Sequence, residues 1–258
     1  MNNPKVTVLM PVYNGEKYIC EAIESILAQT FRNFEFLIID DGCTDRSIER
    51  ADSYTDPRIR VVHNGANMGL TATLNRGIDL AHGEYIARMD CDDISLPMRL
   101  EKQVRFMDEN RDIGICGTWI KVLMGENYIK KYPQSHEAIK CNLLFEYSLA
   151  HPAVMIRKDE LLKHGLCYDV NYKHADDYEL WTRCSDIFKL ANIPEVLVKY
   201  RRHPGQLTAL PDAFGKSFEI SVKYLSVLYK ITSDNEASLH RLFFPKQYTP
   251  SIDMLIKG

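Results

Sequence analysis

The feature that most constrains the fold is an alternation of strand-like and helix-like segments from Lys5 to Met89. Lys5 to Met10 is a β-branched and apolar run stopped by Pro11. Glu16 to Gln29 then places Tyr18, Ile19, Ala22, Ile23, Ile26 and Leu27 on one helical face. The same unit recurs: Glu35 to Ile39 reads as strand, Asp45 to Tyr54 as helix, Ile59 to His63 as strand, Thr71 to Ala81 as helix and Tyr85 to Met89 as strand. Strands that are apolar on both faces must be covered on both faces. The pattern therefore predicts an α/β fold with a mainly parallel, Rossmann-like central sheet flanked by helices.

In open sheets of this kind, ligands gather beyond the carboxyl ends of the strands. Here those ends carry Pro11-Val12-Tyr13-Asn14, Asp40-Asp41-Gly42, Asn64-Gly65-Ala66-Asn67-Met68-Gly69 and Asp90-Cys91-Asp92-Asp93. Glycines supply tight turns and close backbone approach, and aspartates supply acceptors and charge. The last cluster is the most demanding, because carboxylates about 4 Å apart repel by about 4 kcal/mol per pair at an effective dielectric near 20. A divalent metal relieves that repulsion. Hard oxygen ligands suit Mn²⁺ or Mg²⁺, which bind through one or two carboxylates together with substrate phosphates. For an isolated Asp-x-Asp, the plainer alternative is a polar turn before the helix that begins near Pro97.

Composition narrows the partners. The net charge of −3 provides no basic excess for nucleic acid. Cysteines 20, 43, 91, 116, 141, 167 and 184 are odd in number and form no Cys-x-x-Cys pair, which speaks against a disulfide framework or a zinc site and for a reducing compartment. No run reaches the ~18 apolar residues of a membrane span, and the amino terminus enters the first strand without an apolar leader. A cytoplasmic protein is expected, with any membrane contact peripheral.

Beyond Pro97 a helix is expected to run to Asn110, followed by a strand over Ile113 to Val122 broken at Gly114 and Gly117. Helices are then expected over Glu137 to Phe145, Lys158 to His164 and Asp176 to Asp186, with extended segments over Ala153 to Ile156 and Val196 to Tyr200. Pro204-Gly205 and Pro211 mark a boundary, giving a catalytic α/β domain over 1–210 and a C-terminal helical extension over 211–258. In the extension, Phe218 to Ile231 reads as a helix carrying Tyr224, Leu225, Leu228 and Ile231, before a tail with Phe243, Phe244 and Pro245. Its apolar residues can pack on the catalytic domain, form a homodimer contact or dock on a membrane surface.

The motifs of other α/β enzymes are missing. There is no Gly-x-Gly-x-x-Gly after the first strand, no phosphate loop, no His-Glu-x-x-His and no Gly-x-Ser-x-Gly elbow. Five motifs in order instead span roughly Val6 to Leu207: Met10-Pro11-Val12-Tyr13-Asn14, Ile39-Asp40-Asp41-Gly42-Cys43-Thr44-Asp45, Arg88-Met89-Asp90-Cys91-Asp92-Asp93, Asp176-Asp177-Tyr178-Glu179-Leu180-Trp181 and Tyr200-Arg201-Arg202-His203. On these motifs the chain resembles glycosyltransferase family 2, whose members have the A-type (GT-A) nucleotide-sugar transferase fold.

The resemblance implies an inverting, metal-dependent transfer of a sugar from a nucleotide-sugar donor, UDP-linked by the family pattern, to a hydroxyl of a glycan or lipid-linked glycan, in cell-surface polysaccharide synthesis. It implies Asp92 as metal ligand with Asp90 as its partner nearer the donor, and Asp93 ranked below both. By the same resemblance Asp41 accepts from the nucleotide base, Pro11 and Tyr13 line the base pocket, and Asn67 belongs to the donor loops. Asp177 resembles the general base, in an Asp176-Asp177 pair where Glu-Asp is more usual. His151 resembles a position near the donor sugar or acceptor, and His203 one that closes over the diphosphate within reach of the metal. Arg201 and Arg202 read equally as phosphate clamps or as surface arginines. A sugar-1-phosphate nucleotidyltransferase and a catalytically silent carbohydrate-binding protein on the same fold stay open as alternatives, although the first normally carries a Gly-rich loop that Met10 to Gly15 lacks.

Overall fold

Every residue of β1 (Val6–Val12) is buried, as a strand apolar on both faces requires. It pairs in parallel with β2 (Phe34–Asp40) on one side and β4 (Tyr85–Arg88) on the other, and β2 pairs in parallel with β3 (Ile59–His63). Because strand side chains alternate, Leu9, Leu37, Ile39 and Ile86 meet Leu74 and Ile78 of α3 (Leu70–Leu80) on one face. Val8, Met10, Phe36, Ile38 and Ala87 meet Ile19, Ala22, Ile23 and Ile26 of α1 (Ile19–Leu27), and Leu100, Val104 and Met107 of α4 (Arg99–Glu109), on the other. A short helix, α2 (Ser47–Asp52), completes this half. The structure, a computed structural model, describes residues 3–203, 206, 216–217 and 219–224.

Pro11 lies inside β1 rather than ending it. Val12 O accepts from Asp41 N on the β2 side and Leu9 O from Met89 N on the β4 side, so Pro11, two residues after Leu9, turns its missing N–H toward β4 just past the last ladder pair, Leu9 with Arg88. No donor is lost.

Beyond β4 the sheet is mixed. β8 (Met155–Arg157) runs antiparallel to β4, β6 (Ile113–Leu123) antiparallel to β8, and β9 (Lys189–Arg201) parallel to β6; β5 (Ile94–Ser95) and β7 (Tyr128–Lys130) add antiparallel edges. The order is β3-β2-β1-β4-β8-β6-β9-β5, with β7 on β6. The expected parallel arrangement thus holds for the first four strands and for the β6–β9 pair, while β8, β5 and β7 are antiparallel. β6 runs through both glycines as one strand, with its register against β9 shifted at Gly114; a side chain at Gly114 would strike the Phe188 ring and one at Gly117 would strike Asn192 Oδ1, so these glycines make room for neighbours.

Helices α5 (His136–Asn142), α6 (Lys158–Lys163) and α7 (Asp176–Ser185) cover the α3 face. Of the C-terminal extension, Ile220 and Tyr224 are buried in that core, and Tyr224 OH lies 2.9 Å from Ser185 Oγ. Leu225, Leu228, Ile231, the Phe243–Pro245 tail and the boundary at Pro211 lie outside the described residues. Among the described residues no helix is long and apolar enough to cross a membrane.

The junction beneath the Asp90 loop is pinned by a buried cation. Arg99 of α4 donates to Arg88 O at 2.6 Å and Val154 O at 3.2 Å, while Gln103 one turn later donates to Cys116 O and Ala153 O. Burial, with a smaller contribution from the Arg88 charge, lowers the Arg99 pKa to about 10. These bonds fix the end of β4 against β8 and β6.

Candidate active site

β4 ends at Arg88, and the next turn carries the acidic cluster. Asp90, Asp92 and Asp93 each bring one carboxylate oxygen to within 4.8 Å of the others. Asp93 Oδ1 accepts from Arg201 N at 2.8 Å, and its Oδ2 is buried without a partner. His203 Nε2 lies 2.9 Å and Gln206 Nε2 3.2 Å from Asp92 Oδ2. Asp90 pairs with the buried guanidinium of Arg88. Burial pushes the Asp90 and Asp93 carboxyls up, with Arg88 opposing and Asp92 adding to the rise at Asp90, and Asp90 and Asp92 adding to it at Asp93. Three converging carboxylates, one of which also has a buried oxygen without a partner, fit a divalent cation. Asp93 therefore belongs to the cluster on geometry.

β9 straps this loop down. Arg201 Nε donates to Asp92 O at 2.9 Å, its Nη2 pairs with Glu21 of α1, and its guanidinium lies 4.6 Å from the Tyr18 ring. The Tyr18 ring is in turn 5.1 Å from that of His203. Arg201 is thus neither a surface arginine nor an unattached phosphate clamp.

The second acidic pair opens α7. Asp177 is half-buried, its Oδ1 accepting from Tyr178 N at 2.8 Å, and burial followed by repulsion from Asp176 pushes its carboxyl up to about 7. Asp176 is buried and also raised by burial; it accepts from Thr71 of α3, while its Oδ2 has no partner. His151 stands in a 3₁₀ turn (His151–Ala153), its Nε2 2.8 Å from Tyr168 OH and its ring 5.9 Å from that of Trp181. Burial, then the Arg88 charge, pushes His151 well below its ordinary value, so this imidazole is neutral. Arg88 acts electrostatically on Asp90, Asp93, His151, Tyr168, Asp176 and Asp177, which places all six around one buried cation.

The loops after β1, β2 and β3 form a wall beside the cluster. Asp41, only 3% exposed, accepts from Asn64 Nδ2 at 2.8 Å, Met68 N at 2.8 Å and Gly69 N at 3.0 Å. A carboxylate has about four acceptor positions, so one remains. Gly42 has φ +78°, and a side chain there would come within 2.6 Å of Asn67 N, so the second and third loops touch. Asn67 is exposed, with Oδ1 accepting from Gly69 N at 3.1 Å. Asp40 holds its own loop through Cys43 N and His63 Nδ1. Pro11 is buried, whereas Tyr13 is 52% exposed and is not a core tyrosine.

Sequence reasoning missed Arg88, Tyr168, Thr71 and Gln206. Arg88 alone carried a signal, as a charge inside an otherwise apolar strand next to the acidic motif.

Residues 7–166 match the family model described as glycosyl transferase family 2. The E. coli O-antigen biosynthesis glycosyltransferase WbnJ is 39% identical over 210 residues, which cover 77% of this chain and 80% of that protein. Crystal structures show the same fold: S. aureus TarS 1–349 in complex with UDP-GlcNAc has a TM-score of 0.73 at 19% identity over 86% of this chain. The mannosyltransferase PcManGT from Pyrobaculum calidifontis, in complex with GDP-Man and Mn²⁺, has a TM-score of 0.65 at 15% identity over 90% of this chain. The matched part covers 66% of each of those two chains.

Proposed function

The chain belongs to glycosyl transferase family 2 and is a glycosyltransferase; on that premise we propose that it moves a sugar from a UDP-sugar to a hydroxyl of a glycan or glycolipid with inversion at the anomeric carbon. The observation that carries this reading is Asp177, a half-buried carboxyl pushed up to about 7, standing with Asp90 and Asp93 around Arg88. A base poised near neutral pH is matched to taking a proton from a sugar hydroxyl.

Asp90, Asp92 and Asp93 would hold a Mn²⁺ or Mg²⁺ ion, with His203 and Gln206 orienting Asp92. When bound, such an ion acts as a Lewis acid on the leaving diphosphate. Tyr13 and Pro11 offer an apolar face to the base, Asp41 has one acceptor position for its imide N–H, and Asn67 shapes the loop above. Neutral His151 and Asp90 face the donor sugar. Asp177 takes the acceptor hydroxyl proton as the acceptor oxygen bonds to the anomeric carbon, and the bond from that carbon to the diphosphate oxygen breaks to release UDP. The relationship to an O-antigen glycosyltransferase supports a cell-surface glycan as acceptor.

Replacing Asp177 with Asn should cut transfer by roughly 10²- to 10⁴-fold and leave Mn²⁺-dependent UDP binding within a few-fold of wild type. Calorimetric titration beside an initial-rate assay checks both. Retained transfer, or loss of UDP binding along with transfer, would overturn the base assignment. Parallel titrations with UDP and GDP test the choice of nucleotide.

A further inference from the structure

Between the proposed base and the β7 edge lies a group of aromatic side chains that the reaction as described leaves unused. Register places Lys130 opposite Ile120, Tyr128 opposite Val122 and, from the other side, Tyr200 opposite Val122. Tyr128 and Tyr200 therefore share a sheet face about 10 Å apart, two strand spacings. Tyr147, from the loop leading to His151, closes the group: its ring is 6.3 Å from that of Tyr132 at 46°. Lys130 Nζ sits 4.1 Å from the Tyr147 ring centroid, 2.9 Å from its hydroxyl and 3.6 Å from Glu146.

The floor of this face is core, with Ile120, Val122, Tyr132 and Val198 buried and Tyr147 and Tyr200 packed against them, and three observations make its rim a ligand surface. Tyr128 is 43% exposed, and Tyr147, Tyr200, Lys130 and Glu146 are only half-buried. The face is continuous with the site, because Ala150 and Ala153, on either side of His151, pack in one cluster with Tyr132, Ile120, Val122 and Val198, against which Tyr147 and Tyr200 lie. It is also on the correct side. Arg201 points toward Tyr18 and Glu21, so its neighbour Tyr200 points to the opposite face of β9, away from the α1 wall of the metal loop.

We propose that Tyr128, Tyr147 and Tyr200, with Lys130 and Glu146, form the subsite that binds a pyranose ring of the acceptor glycan and delivers its hydroxyl to Asp177. The apolar C–H face of a pyranose lies against aromatic rings, as other apolar faces do. The Lys130 ammonium and Glu146 carboxylate offer a donor and an acceptor to the ring hydroxyls. The assignment rests on the transferase reading above and gives the acceptor a neutral sugar at its reacting end.

Saturation-transfer NMR with the methyl α- and β-pyranosides of glucose, galactose, mannose and N-acetylglucosamine, in the presence of UDP and Mn²⁺, tests it. At least one pyranoside should bind the wild type at millimolar concentration. Y147A, Y128A and K130M should each weaken that binding by about three- to tenfold, the range of one such contact, and leave UDP affinity within about twofold. Y147F keeps the ring and should retain most of the binding, while Y128A, at an exposed edge, keeps the test valid should Y147A fold poorly. No pyranoside binding to the wild type, or binding unchanged in Y128A and K130M, would overturn the subsite. Failure of UDP to bind the wild type would instead sink the transferase reading, so the two failures are distinguishable.

Discussion

Asp177 and Asp176 are adjacent in sequence and differ in environment, and the pH dependence of the enzyme should report that difference. Burial, then the neighbouring Asp176 charge, holds Asp177 up at about 7, while Tyr178 N and Arg88 pull the other way. The working form of a base is ionised, so kcat/KM should fall as pH drops below about 7 and level off above it. Asp176→Asn removes the like charge and should move that limb to lower pH; a profile at saturating Mn²⁺ checks it, and a limb left in place would assign the titration to another group. The linked effect on stability has the opposite sense. A carboxyl raised on folding favours its protonated form, so the stability it contributes at low pH is lost as pH rises through the folded value. Asp90, Asp92 and Asp177 were legible in the sequence because ordered motifs carry them. Tyr168 and Gln206 were not, since only chain reversal brings Tyr168 to His151 and Gln206 to Asp92.

At the scale of elements, the turn between α3 and β4 offers a clean separation of stability from catalysis. A side chain on Gly83 would collide with backbone atoms of Val6, Thr7 and Tyr85, and Gly83 N donates to Thr7 Oγ1 at 2.8 Å. Backbone cannot swing aside as a side chain does, so Gly83→Ala must part β1 from β4 at their amino ends, at a cost of about 1–3 kcal/mol or more. The site lies at the other end of β1, about 20 Å away. Chemical denaturation should show the loss while kcat stays near wild type, and unchanged stability would refute the contact. The long apolar strands and amphipathic helices of this half were legible because their burial is periodic. Two-residue β5 and three-residue β7 carry too little pattern to read. β9 was read short because it opens with Lys189 and a register shift separates Ile193 from Val196, the stretch that carries Pro194. Antiparallel β8 follows from a three-dimensional reversal at the 3₁₀ turn, which no periodicity encodes.

For the whole molecule, a net charge of −3 conceals a sheet end where Asp90, Asp93, Asp176 and Asp177 lie within electrostatic range of one buried cation, Arg88, with Asp92 beside Asp90 and Asp93. Such a site is held at the expense of stability, as functional sites often are. A ligand that binds only the folded chain returns stability by mass action, about 2.7 kcal/mol at a hundredfold excess over its Kd. For a domain of this size that corresponds to a rise in Tm of about 5–10 °C, and thermal denaturation with Mn²⁺ and UDP should show it. Asp93→Asn gives the sharper test because its two effects differ in sign. The amide keeps an Oδ1 acceptor for Arg201 N but removes one of the crowded charges. Metal-free protein should therefore melt higher than wild type, while the Mn²⁺-dependent rise shrinks. A variant that melts lower without metal and keeps the full Mn²⁺ response would show instead that Asp93 is a structural anchor of the β9 strap and contributes nothing to holding the ion.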